Sequence, residues 1–243
     1  WEQQQHTDSL DYPATYIRSS LEPYGFGDRW IYRAGEDSRG LSLLELRALC
    51  GEADLLLIRA VPFIVWRGEY ELPKRRAFID VDPGFTQFLL ARGEPAFAET
   101  LGKCETLFTI SQRIGRADCE IPLAGRKWHS TLPPVALNAW PVTPVPDHAP
   151  FTSVIRWRGF KDMEYDGKQY GQRDREFPKF IDLPNRTSTE FAMALTGGSV
   201  DKLTGAGWTV VDGWQASRTA AASQAFIQNS LAEFGVAKHC YVA

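Results

Sequence analysis

Two aspartates separated by one residue, Asp80 and Asp82, close an apolar run that begins at Arg76. Side chains in a strand alternate between faces, so this pair is expected to point the same way. Pro83-Gly84 turns the chain directly afterwards, and Thr86-Gln87 fall in the helical stretch that follows. In an open α/β sheet the binding crevice lies beyond the carboxyl ends of the strands. Three readings are open. Asp82 caps the next helix while Asp80 makes an ordinary hydrogen bond. Alternatively the segment meets substrate, with Asp82 as a base and Asp80, Thr86 and Gln87 as contacts. In the third, the two carboxylates give hard oxygen ligands to a cation that holds a nucleotide diphosphate.

His129 stands beside a tryptophan and two cations in Arg126-Lys127-Trp128-His129, where it is either a second candidate base or a histidine bonded within a connector. Trp157-Arg158-Gly159 closes a predicted strand. A glycine there allows close backbone approach, and Arg158 has the fork to pair with phosphate, although a plain strand-to-loop turn reads equally well. Tyr165 to Arg175, with Tyr170 and Gln172, is polar and aromatic and reads as a flexible loop open to ligands. Lys238 follows Gly235; it either neutralises a diphosphate or favours a helix C-terminus. No GxSxG elbow, P-loop or HExxH sequence occurs, and no dinucleotide-type glycine cluster lies near Gly159.

The surrounding elements alternate. Over 243 residues the spacing predicts helices at Tyr12–Leu21, Leu41–Cys50 and Phe85–Ala91, with Ser42 as a cap and Gly51 just past the end of the second. Strands are predicted at Arg29–Arg33, at Asp54–Ala60 as a run buried on both faces, at Arg76–Asp82 and at Thr106–Ser111. Prolines crowd the stretch 122–150, which reads as an irregular interlobe connector with Trp128 and Trp140 packing against the lobes. A second alternation follows. Strands are expected at Ser153–Trp157, Glu190–Leu195 and Trp208–Asp212. Helices are expected at Arg173–Leu183, Val200–Ala206 and Ala216–Phe234, the last closed by Gly235. The pattern predicts an α/β protein of two Rossmann-like lobes with parallel sheets, residues 1–121 and 151–243, joined by 122–150.

A net charge of −3 points to neither nucleic acid nor an anionic membrane, and Lys74-Arg75-Arg76 reads as a solvated face. No apolar stretch approaches the ~20 residues that span a bilayer, and no secretory leader is seen. Four scattered cysteines without metal spacing fit a reducing cytoplasm.

Several segments, taken in order, carry a resemblance. They are Phe78-Ile79-Asp80-Val81-Asp82-Pro83-Gly84-Phe85-Thr86-Gln87, Thr131-Leu132-Pro133-Pro134-Val135, Trp157-Arg158-Gly159 with Tyr170-Gly171-Gln172, Phe180-Ile181-Asp182-Leu183-Pro184, and Glu233-Phe234-Gly235-Val236-Ala237-Lys238. Together they resemble bacterial glycosyltransferase-like proteins similar to the spore-coat family, with the GT-B type of fold. The resemblance implies an acceptor lobe followed by a donor lobe, a nucleotide-sugar donor as substrate and no bound metal or other cofactor. It also implies a first strand with a glycine-rich turn and a donor segment after Lys238, neither of which is in this sequence. The expected activity is sugar transfer from a nucleotide diphosphate to a hydroxyl or amine, with Asp82 or His129 as base and Arg158 and Lys238 on the phosphates. A non-catalytic module that binds a saccharide or protein is the competing expectation, and a cation-dependent transferase a third.

Overall fold

A computed structural model describes residues 9–35, 37–59, 65–159 and 161–242. The chain opens with α1 (Asp11–Leu21), as its period predicts. β1 (Ile31–Ala34) and β2 (Asp37–Gly40) then pair antiparallel as a separate ribbon. α2 (Leu43–Glu52) starts where predicted: the Ser42 hydroxyl accepts from the Glu45 amide, and the Glu45 carboxylate accepts from the Ser42 amide. Gly51 lies inside this helix rather than beyond it.

β3 (Leu55–Arg59), β4 (Arg75–Asp80), β5 (Thr106–Thr109) and β6 (Trp128–Ser130) form a parallel sheet in chain order. α3 (Phe85–Ala91) and α4 (Pro95–Gly102) lie between β4 and β5, and α4 was not foreseen. Two expectations fail here. β3 is not buried on both faces: it is an edge strand among the described residues, with Ile58 inward and Leu55 and Leu57 exposed. The stretch 122–150 is not wholly irregular either. Trp128, His129 and Ser130 precede its prolines from 133 onward, keep their amide donors and join β5. The remainder contains only a short 3₁₀ turn at Leu137–Ala139. Trp140 is exposed rather than packed; backbone carbonyls hold this stretch, since Ala139 and Pro141 accept from Gln224 and Gln228. Arg76 is no solvated charge, because its guanidinium donates to the Glu105 carboxylate at 2.6 Å.

The second sheet contains β7 (Phe151–Arg156), β10 (Phe191–Thr196), β11 (Thr209–Asp212) and β12 (Ala232–Glu233), all parallel. Its spatial order is β11-β10-β7-β12. In order of appearance that is 3-2-1-4, so the winding reverses between β7 and β12, the place where such sheets open a crevice. Between β7 and β10, β8 (Met163–Tyr165) and β9 (Lys168–Tyr170) make a hairpin where a flexible loop was expected. Asp166 and Gly167 carry φ of 49° and 71°, the left-handed pair that a tight two-residue hairpin requires.

The predicted helix Arg173–Leu183 breaks into α5 (Arg173–Glu176) and 3₁₀ turns at Phe177–Phe180 and Leu183–Arg186, since Pro178 and Pro184 offer no amide donor. α6 (Val200–Thr204) is present. The long helix expected from Ala216 to Phe234 is instead α7 (Gly213–Ser217), α8 (Ala220–Gln228) and β12. The Thr219 hydroxyl caps α8 through the Ala222 amide, which starts a new helix there. Gly235 therefore follows a strand, not a helix. α9 (His239–Val242) completes the described chain.

Apolar side chains gather in three places. Ile58, Phe78, Leu101 and Leu107 cover the first sheet; Ile155, Phe191, Met193 and Trp208 cover the second. The third cluster takes Phe85 and Phe88 from α3, Met163 and Tyr170 from the hairpin and Cys240 from α9. No helix among the described residues is long and apolar enough to cross a membrane.

Candidate functional site

β4 ends on Asp80, which is fully buried. Its Oδ1 accepts from the Asp82 amide at 3.0 Å and the Thr86 hydroxyl at 2.7 Å; its Oδ2 accepts from Gln87 Nε2 at 2.9 Å and the Thr109 hydroxyl at 2.8 Å. Burial raises the carboxyl above the ordinary aspartate range, and these four donors oppose the rise. Gln87 cannot turn over, because its Oε1 accepts from the Gly84 amide at 2.7 Å. Thr86 and Gln87 are thus buried supports of the turn after β4.

The Asp82 amide bends back onto Asp80 in a local turn that ends the strand. The two carboxylates consequently take separate sets of partners. Asp82 does not cap α3 with its side chain either. Its backbone carbonyl takes the Thr86 amide, and its Oδ1 accepts from Lys238 Nζ at 2.5 Å and from the Tyr241 hydroxyl at 2.9 Å. Burial, followed by the charge on Asp82, raises the Tyr241 phenol.

Lys238 lies between β12 and α9, so its bond to Asp82 joins the carboxyl end of the second sheet to that of the first. Hydrogen bonds fix the start of α9 to the segment after β9: the His239 and Cys240 amides donate to the Gln172 and Gly171 carbonyls, and the Gly171 amide donates to His239 Nδ1. Tyr170, buried at the end of β9, packs in a tilted arrangement on Phe88 of α3 at 4.4 Å between ring centroids. Beyond β7, the Trp157 ring packs on Phe177 at 5.3 Å. Arg158 pairs with Asp162 at 2.9 Å and Asp174 at 2.5 Å. The Gly159 amide donates to Gln172 Oε1 at 3.4 Å. Gln172 is almost wholly buried, and its Nε2 finds no partner among the described residues.

Nine sequence candidates therefore follow one path from Asp80 to Arg158 through α3, the hairpin and the Lys238 segment, with Trp157 beside it. His129 does not. It is exposed on β6, in register with Phe108 and beside that ring, whereas Thr109 of the same strand β5 reaches Asp80. Alternation puts His129 on the opposite face of the sheet from Asp80. Among the described residues no group of three or more His, Cys, Asp or Glu side chains is placed to hold a metal ion.

One cavity lies beside this path, lined by none of these candidates, and was missed in the sequence. It has a volume of about 270 Å³ and is bounded by Pro83 and Gly84, by 110–114 after β5, by Cys119 and Ile121, and by Cys240 and Tyr241. The polar run Ser111-Gln112-Arg113 directly beyond a strand end was a usable signal. Cys240 and Tyr241 were not recoverable, because only tertiary docking brings them there. Comparison with family models, curated proteins and solved structures returns no match for this chain.

Proposed function

We propose that this chain is a glycosyltransferase-like protein of the two-lobed type, transferring a sugar from a nucleotide-diphosphate donor to a hydroxyl or amine acceptor. The observation that carries this reading is the Asp82–Lys238 contact, which sets the carboxyl end of β4 beside that of β12, next to the winding reversal of the second sheet. In this reading Asp82 takes the proton from the acceptor. The acceptor oxygen or nitrogen bonds to the anomeric carbon, and the bond from that carbon to the diphosphate oxygen breaks. Arg158 and Lys238 then face the negative charge that leaves. His129 has no part in it.

A second reading has its own support. Arg158 is already paired with two carboxylates and Lys238 with one, so the cations meant for a diphosphate are neutralised within the chain. That favours a non-catalytic module of transferase type that binds a saccharide or a protein. Calorimetric titration with uridine, thymidine and guanosine diphosphates separates the two. Saturable heat that Arg158→Ala removes supports the transferase, and absence of heat with all three nucleotides rejects it.

A further inference from the structure

The cavity beyond β5 has a two-sided chemistry. Ile114 and Ile121 supply apolar wall, and Tyr241 adds an aromatic ring whose hydroxyl is engaged by Asp82. Arg113 stands among these residues half-exposed. Its Nη2 donates to the Asp118 carbonyl and carboxylate, both at 3.1 Å. A guanidinium has five N–H donors, so three remain without a partner among the described residues. The loop that presents Arg113 is held in place, because the Ser111 hydroxyl accepts from the Arg113 and Ile114 amides. The Ser111 carbonyl in turn accepts from the Ser130 hydroxyl at 2.9 Å, which ties the loop to β6.

Ligand clefts for larger molecules run from about 300 to 1,000 Å³, so this volume suits a single ring. We propose that the cavity binds a small aryl carboxylate, its ring against Ile114, Ile121 and Tyr241 and its carboxylate on Arg113. None of the candidates found in the sequence lines this space, and the proposal does not depend on sugar transfer.

Benzoate and the uncharged benzyl alcohol serve as probes, followed by ligand-detected saturation-transfer NMR on the whole chain. Benzoate is expected to saturate, with benzyl alcohol about tenfold weaker, since a hydrogen bond to a charged group is worth at least that factor. Arg113→Gln brings benzoate down to the level of the alcohol and leaves the melting temperature unchanged, because its exposed pair with Asp118 adds little stability. Cys119 borders the cavity, so saturating benzoate also slows its alkylation by iodoacetamide in the wild-type chain. The proposal is overturned by absence of saturable benzoate binding, by binding that Arg113→Gln leaves intact, or by unprotected Cys119 in the saturated protein.

Discussion

Lys238 and Asp82, 156 positions apart in the chain, meet at 2.5 Å between Nζ and Oδ1. The ammonium also lies over the Phe85 and Tyr241 rings, at 5.5 and 5.1 Å from their centroids. An ion pair this sheltered matters more than a surface pair, because removing one partner leaves the other charge poorly solvated. Lys238→Met keeps the aliphatic stem and removes the charge. It is expected to lower unfolding free energy by about 1–3 kcal/mol in urea. A double-mutant cycle with Asp82→Asn should return a coupling of about 1 kcal/mol or more, and zero coupling would show that the two side chains do not interact.

Asp80→Asn tests the buried hydrogen-bond hub. Gln87 is locked by its bond to the Gly84 amide, so an amide at Oδ2 of position 80 sets donor against donor. Rotating the new side chain moves the same conflict onto the Asp82 amide at Oδ1. The expected loss is about 1–3 kcal/mol, read from denaturant midpoints. A neutral result would mean that the carboxylate is not needed as an acceptor of four bonds.

The same residue sets a pH dependence. Burial holds the folded carboxyl above its ordinary value, so the native state binds this proton more tightly than the unfolded chain does. The corresponding stabilisation is complete below the unfolded value of about 3.9 and is lost as pH rises through the folded one. The stability margin of wild type over Asp80→Asn should therefore shrink between acid and neutral pH. A margin that widens instead contradicts the assignment.

The cysteines should differ in reactivity. Burial pushes the Cys240 thiol up to about 12 and the Cys104 thiol up to about 11. At neutral pH both are overwhelmingly protonated, and the thiolate is the nucleophile. Timed iodoacetamide labelling with peptide mapping should modify half-buried Cys119 well before Cys240. Early labelling of Cys240 in the folded protein would place α9 elsewhere.

Gly84 tests the seat of α9 from the other side. Its φ is 88°, and a Cβ built there would lie 3.1 Å from the Cys240 carbonyl oxygen. Gly84→Ala is expected to cost about 1–3 kcal/mol through backbone strain and to speed Cys240 alkylation as α9 is displaced. Unchanged melting and labelling would mean that this contact is loose.

Much of the scaffold was readable from local pattern. Ser42 with Glu45 marks the start of α2, Phe85 to Ala91 is a helix as its period indicates, and the runs around Phe78, Leu107, Val154 and Met193 are strands. The misreadings share a cause. Thr219 starts a new helix within an apolar stretch, Asp166-Gly167 folds a polar segment into a hairpin, and Trp128 to Ser130 pairs with β5 from within a proline-rich region. In each case a single cap, turn or neighbouring strand outweighs the average character of the window.

Local chemistry alone determined that this is an α/β protein with carboxylates at a strand end, because strand and helix periodicity and the Asp-Val-Asp-Pro-Gly turn are encoded within a few residues of each other. The tertiary structure decided the rest. It gave Asp80 and Asp82 separate partners, joined Asp82 to Lys238 and Tyr241, set His129 on the other face and formed the cavity beside Arg113. Those outcomes depend on which distant segments share a sheet edge, and no spacing along the chain encodes a contact between residues 156 positions apart.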